Sequence, residues 1–276
     1  MRKGWRAWPI VFVLLCAITI HSDSPAGWPQ SQDDHVSASI VIEADKLLGS
    51  ISPRLYGQFD EFMYEGVKGG LYAELLRDRG FDEAPDVRGL PRYWERDPDD
   101  RNDDPGLHIY LDDAVIYPPA PKFPSEIGNH SLRLDVTAND GQRRGIHQGG
   151  IPVRQGVAYH GYIWIKTSGF SGHINVALEA DWTDGETYAN AEIADISGDW
   201  KKYSFSLAPR KGDPLAKFSV LVYGRGRLWL DQLSLMPGDA VDGVRTDVFQ
   251  KVKALRPAFI RWPGGNVAQD YHWTWG

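Results

Sequence analysis

The stretch PAFIRWPGGN, Pro257–Asn266, runs from a proline through a short apolar segment to a Pro-Gly-Gly turn ending in an amide. Ala258–Trp262 is too short for a helix. It has the continuously apolar character of a strand buried on both faces, as in a parallel sheet. Gly264 and Gly265 let the backbone turn sharply at the strand end and leave room for a ligand beside it. Just upstream, DGVRTDVFQKVKAL (Asp242–Leu255) sets Val244, Val248, Val252 and Leu255 on one helical face, with Phe249 beside them. Asp242 is the expected N-cap, and Pro257 stops the helix. Helix, turn, buried strand and glycine-rich end form one unit of an α/β domain.

The same pattern recurs near the other end of the chain. ASIVIEA (Ala38–Ala44) reads as a strand and RLYGQFDEFM (Arg54–Met63) contains a second, with Gly49, Ser50 and Pro53 turning between them. GGLYAELLRDRGF (Gly69–Phe81) is expected to be helical, with Leu71, Tyr72, Leu75 and Leu76 on its apolar face and Gly80 as its stop. From Asp82 to Gly106 the chain is polar and proline-rich. Its acidic cluster ERDPDDRNDDPG lacks the glycine and closing Glu of a calcium loop and reads as a solvated surface loop.

Between these α/β pieces the period changes to two. SLRLDVT alternates Leu132, Leu134 and Val136; YHGYIWIK sets Tyr159, Ile163 and Ile165 against His160, Tyr162 and Trp164. HINVALEA, WKKYSFSL, LAKFSVLVYG and RLWLDQLSL follow the same rule, separated by turn residues, which predicts an antiparallel β-sandwich. The expected organisation is α/β plus all-β. Residues 27–106 hold the first strands and helix, 107–236 an inserted sandwich, and 237–276 a helix and second strand. Two strands and a helix cannot close a (β/α)8 barrel, which takes about 250 residues. The barrel is therefore expected to be only begun in these 276 residues, with Phe259 or Trp262 exposed on the unfinished part.

Composition narrows the class. Hydrophobic residues at 42% and charged ones at 24% fit a globular protein, and the net charge of −7 argues against nucleic acid and anionic membranes as partners. Aromatics make up 12% of the chain, which matters here because aromatic faces stack well on sugar rings. Arg2, Lys3 and Arg6 precede an apolar run from Ile10 to Ile20 and the small polar stretch HSDSPAG, the three regions of a secretory signal peptide over residues 1–26. Secretion or a periplasmic location is expected. The single cysteine, Cys16, lies inside that segment, so the mature chain is expected to have no thiol chemistry. The histidines show no metal-ligand spacing, and no cofactor is expected.

Functional side chains of α/β barrels sit where strands end. One strand end delivers Asp60 and Glu61, and the other delivers Asn266. Their carboxylates and amide suit sugar hydroxyls; equally, Glu61 can pair with an arginine and Asn266 can cap a turn. In the sandwich, Trp182, Tyr188, Tyr162 and Trp164 can form a stacking platform or pack in the core.

SPRLYGQFDEFMYEGVKGGLYAELLRDRGF together with LRPAFIRWPGGNVAQDYHWTWG resembles the α-L-arabinofuranosidases of glycoside hydrolase family 51. The insert closing on LWLDQLSL is similar to carbohydrate-binding modules of the jelly-roll type. The resemblance implies a retaining hydrolase that releases non-reducing terminal arabinofuranosyl groups from arabinan or arabinoxylan. It implies that Glu61 and Asn266 hydrogen-bond the sugar ring where cleavage occurs, and that Trp273, after Tyr271, walls that pocket. The catalytic pair of glutamates, about 5–5.5 Å apart in a retaining enzyme, falls in the family on later strands, so none of the residues here is assigned to it. The chain alone is expected to be inactive. Gln58 and Asp60 depart from the family, where apolar residues or His are frequent. A homo-oligomer is compatible with the family. Two other readings stay open: a carbohydrate-binding protein acting through the sandwich, and a related retaining glycosidase such as a xylosidase.

Overall fold

A computed structural model of the chain describes residues 39–43, 45–46, 48–61, 64–98, 104–117, 130–182, 185–269 and 271. The expected signal segment, with Cys16, and Trp273 lie outside the described residues. The chain divides into two units, Met1–Ser50 and Ile51–Gly276. In the first, described residues 39–43 form no strand, and Ile40, Val41 and Ile42 are exposed, contrary to the strand expected at Ala38–Ala44. A run of apolar residues makes a strand only where a ladder partner takes up the backbone N–H and C=O groups, and described residues 39–43 have no such partner among the described residues.

Among the described residues, the second unit has ten strands and one α-helix. They are β1 (Gln58–Phe59), β2 (Glu95–Asp97), β3 (Leu107–Asp112), β4 (Ser131–Val136), β5 (Gly145–Val153), β6 (Tyr159–Glu179), β7 (Thr187–Ile193), β8 (Lys201–Leu207), β9 (Asp213–Pro237), α1 (Thr246–Leu255) and β10 (Ile260–Arg261). Strands β2–β9 make one antiparallel sheet of eight strands. Its two long members, β6 of 21 residues and β9 of 25, each serve two layers. Residues 173–179 of β6 and 213–223 of β9 pair with each other and with β7 and β5, while residues 159–168 and 226–237 pair with each other and with β8 and β4. The sheet folds over at Ser168–Ser171, where the register shifts opposite Arg225–Arg227. Gly226 has φ +130°, and a Cβ there would lie 2.4 Å from the Gly169 carbonyl oxygen and Phe170 Cα. Only glycine lets the two backbones cross that closely.

Between the layers lies the core. Period-two alternation turns Ile174, Val176 and Leu178 and Phe218, Val220 and Val222 inward from one layer; Leu132, Leu134, Ile163, Ile165, Leu228 and Leu230 meet them from the other. Phe205 and Phe218 stack at 5.9 Å between ring centroids. The expected alternation of Tyr159, Ile163 and Ile165 against His160, Tyr162 and Trp164 holds throughout. The acidic cluster departs from expectation. Glu95–Asp97 is strand β2, Asp97 is buried in an ion pair with Arg143, and Asp104 pairs with Arg144 at 2.7 Å. Each carboxylate is drawn out of solvent by an arginine of the β4–β5 connection.

The helix expected at Gly69–Phe81 is also displaced. A π-helical stretch occupies Tyr64–Leu71, and the chain beyond it is irregular. There two backbone amides bond to carbonyls far along the chain. Leu75 N–H donates to the Leu235 carbonyl at 3.0 Å and Ala73 N–H to the Gly243 carbonyl at 2.7 Å. The Glu74 carboxylate, buried, accepts from the Leu76 and Leu235 amides and the Ser234 hydroxyl. Leu76, Phe81 and Trp94 then join the sandwich core. Tyr72 bridges to Val244, and Arg245 N–H donates to the Leu71 carbonyl at 2.9 Å, so the chain running into the sandwich and the chain leaving it are clasped together. Helix α1 begins at Thr246 with Arg245 at its N-cap; Asp242, the expected cap, instead has φ +50° in the preceding turn.

Candidate functional site

Strands β1 and β10 pair in parallel, Gln58 opposite Ile260 and Phe59 opposite Arg261. The Gln58 amide donates to the Phe259 carbonyl and the Asp60 amide to the Arg261 carbonyl, both at 2.9 Å. A parallel pair brings both C-terminal ends to one edge, so Asp60 and Glu61 emerge beside Trp262-Pro263-Gly264-Gly265. Sequence alone could mark each strand end but not their register. The Phe259 ring lies over Gly57, where a Cβ would sit 2.2 Å from its Cζ. The Arg261 guanidinium lies 5.2 Å from the centre of the Phe59 ring.

At this edge the Gly265 amide donates to Glu61 Oε1 at 3.3 Å. Gly264 is buried with φ +121°, and a Cβ there would lie 2.7 Å from Glu61 Cα and 2.6 Å from its Cγ. The turn glycines therefore seat Glu61, rather than merely ending the strand. Asn266 follows at once, exposed, at the start of a 3-10 turn over Asn266–Gln269. An ionised carboxylate has about four acceptor positions, and one amide contact leaves the others for ligand hydroxyls. The Asn266 side chain adds both a donor and an acceptor. Burial raises the Asp60 carboxyl above its usual range. Trp262 and Tyr271 meet edge to face, 6.2 Å between ring centroids, and flank the turn.

The four sandwich aromatics separate. Tyr188 is buried and its hydroxyl bonds to Asp213 at 2.7 Å. The Tyr162 hydroxyl accepts from Arg79 at 2.8 Å, with the Lys202 ammonium 3.7 Å above its ring. Trp164 is covered by Tyr117, stacked at 3.9 Å. Trp182 is 60% exposed. Among the described residues no group of three or more His, Cys, Asp and Glu side chains is placed to hold a metal ion, and no helix is long and apolar enough to cross a membrane.

No protein-family model matches the chain. It is similar over 85% of its length to α-L-arabinofuranosidase 1 of Arabidopsis thaliana, at 27% identity, and over 96% to an extracellular exo-α-L-arabinofuranosidase of Streptomyces chartreusis, also at 27%. These matches cover 34% and 30% of the relatives, so the chain spans about a third of the length of the curated proteins it resembles. The solved structure of arabinose-bound MgGH51 α-L-arabinofuranosidase aligns with 78% of the chain and 35% of its own, with TM-score 0.61 and 23% identity, a likeness of fold.

Proposed function

We propose that this chain forms the arabinofuranose-binding side of a glycoside hydrolase active site. In this reading Glu61 and Asn266 hold the terminal sugar in the subsite where its bond is cleaved, and Trp273 walls that subsite. The reaction is release of non-reducing terminal α-L-arabinofuranosyl groups from arabinan or arabinoxylan. It proceeds by double displacement through a glycosyl–enzyme ester, with a second carboxyl group acting first as acid and then as base. Both catalytic carboxyls would come from residues after Gly276, on later strands of a barrel of which β1 and β10 are the first two. Residues 1–26 would direct export, in keeping with the Streptomyces relative named extracellular.

The observation that carries this is the bond from the Gly265 amide to Glu61 Oε1. It joins two motifs 204 residues apart into one polar edge at the ends of two parallel strands. Relatives named for the same activity, aligned over most of the chain, support it from another direction.

The test is hydrolysis of 4-nitrophenyl α-L-arabinofuranoside and the matching β-D-xyloside. The assay uses the 276-residue chain and a product carrying whatever residues follow Gly276 in the gene. The expected result is no turnover by the former and arabinofuranoside hydrolysis by the latter. Glu61→Ala is expected to lower kcat/KM about a hundredfold, the scale of losing charge-assisted hydrogen bonds in the transition state. Turnover by the 276-residue chain, faster xyloside cleavage, or an unaffected Glu61→Ala variant would each refute a named part of the proposal.

A further inference from the structure

An edge strand displays unpaired N–H and C=O groups to any other strand that can reach them. Among the described residues the sandwich has four such edges, β2 and β7 on one layer and β3 and β8 on the other. Three of them are guarded. Strand β2 is only three residues long. Strand β8 opens with Lys201 and Lys202, whose charges discourage a second strand. Along β7 the Thr187 and Tyr188 carbonyls accept from Arg210, from its Nη2 at 3.3 Å and its amide at 3.1 Å. Strand β3, LHIYLD, has no lysine, no proline and no shift of register.

One hydrogen bond fixes which way its backbone groups point. Thr137 N–H donates to the Gly106 carbonyl at 3.0 Å, one step beyond the pair Leu107–Val136. Bonded and non-bonded pairs alternate along an antiparallel ladder. His108, Tyr110 and Asp112 therefore bond to β4, while Leu107, Ile109 and Leu111 turn their N–H and C=O to the open side. Leu107 is capped there. Its N–H donates to the Asp104 carbonyl at 3.3 Å, and its carbonyl accepts from Arg96 Nη1 at 2.9 Å. Ile109 and Leu111 have no such partner among the described residues. The chain that follows β3 does not run along this edge as far as Tyr117. It turns onto the outer face instead, where the Tyr117 ring stacks on Trp164 and the Tyr117 amide bonds to Asp231.

We propose that β3 is a dimerisation edge, pairing antiparallel with β3 of a second copy of this chain about a two-fold axis through Tyr110. The strand is self-complementary in that register. Ile109 falls opposite Leu111 of the second copy and Leu111 opposite its Ile109, and each pair exchanges two backbone bonds. The side chains agree. His108 falls opposite Asp112, so an imidazole meets a carboxylate at both ends of the ladder. The two Tyr110 rings, each 46% exposed and 5.0 Å from an Arg133 guanidinium, meet across the axis. Other registers are worse. A shift one way opposes Leu111 to the capped Leu107; a shift the other way opposes Tyr110 to Asp112 and leaves both imidazoles without a carboxylate. The edge includes no residue of the proposed active site, so the two readings stand or fall separately.

Sedimentation velocity of the 276-residue chain tests it. A ladder this short makes a weak interface, so a dissociation constant on the order of 10 μM is expected. Tyr110→Lys and Tyr110→Glu each set like charges face to face at the axis and are expected to raise that constant at least about tenfold. Because residue 110 meets only itself, mixing these two variants is expected to restore dimers. Ile109→Pro removes one outward N–H without touching the β4 ladder and is expected to weaken dimers likewise, while Ile260→Thr, on the α/β unit, leaves them unchanged. A chain that stays monomeric up to roughly 500 μM, well above that constant, overturns the proposal. So do dimers that survive both charge variants, a mixture that stays monomeric, or dimers abolished by Ile260→Thr, which would put the contact on the α/β surface. Monomers of the product carrying the residues after Gly276 also overturn it, since those residues would then cover the edge. Far-UV circular dichroism matching the parent's shows that each variant is folded.

Discussion

The sandwich and the β1–β10–α1 unit sit in one chain and were both announced by apolar patterning, yet they end up in opposite states. In the sandwich each inward residue of β6 and β9 meets an inward residue of the other layer, and the largest side chains are almost fully removed from water. In the α/β unit Phe259, Ile260 and Trp262 remain 47%, 51% and 41% exposed, and helix α1 has no fully buried residue. The difference is in partners, not in pattern. A two-layer sheet supplies its own second layer, whereas a parallel strand pair needs helices or further strands on both faces. Apolar surface so displayed on β10 is what a larger α/β sheet would cover.

If the comparison is right, stability of this chain resides in the sandwich. Phe218→Ala, at the centre of the core, is expected to lower unfolding free energy by about 3–5 kcal/mol, read from urea denaturation. Arg143→Ala strands the buried carboxylates of Asp97 and Glu179, and breaking such a pair costs about 3 kcal/mol; a loss well under 1 kcal/mol would mean that water already screens the cluster. A smaller effect is expected from pH. Burial, first among the causes, pushes Asp231 up to about 8 and Asp78 up to about 7. Both bind a proton more tightly folded than unfolded. Their contribution is therefore complete below about pH 4 and lost as pH rises through 7 and 8. Asp135 works in the other sense, because bonds from Arg133 hold its carboxyl low, and its contribution is lost as pH falls below about 4. Melting temperature should be highest in the mildly acidic range, and Asp231→Asn should flatten its decline between about pH 4 and 8. The smallest change is expected from Ile260→Thr, within about 0.5 kcal/mol. Hydrogen exchange sharpens the same contrast: amides of β6 and β9 should be protected far longer than those of β1, β10 and α1.

How much of this was legible follows from which interactions are local. Strand alternation in Tyr159–Ile165 needs only neighbours in sequence, and it could be read directly. The merging of two apparent strands into β6 could not, because Gly169 and Gly172 look like an ordinary turn until Gly224 and Gly226 are seen crossing them. The helix expected from Leu71, Tyr72, Leu75 and Leu76 failed for a related reason. Its apolar residues were real, but Leu235 and Gly243, far along the chain, captured the backbone amides a helix would have used. Asp97 and Asp104 were misjudged as solvated because their arginine partners lie some forty residues away. At the candidate site, Glu61 and Asn266 stood out as polar groups at strand ends. Their meeting through Gly265 is a matter of register, which no single segment encodes.

The clasp formed by Tyr72 with Val244 and by Leu71 with Arg245 also bears on how the chain could be re-engineered. Across an antiparallel bridge, backbones lie about 5 Å apart, so the whole inserted sandwich leaves and returns through one narrow neck. A cassette with that geometry can be spliced out and its stumps joined by a few residues, leaving β1 and β10 in register. The same neck would accept an unrelated domain whose termini lie close together.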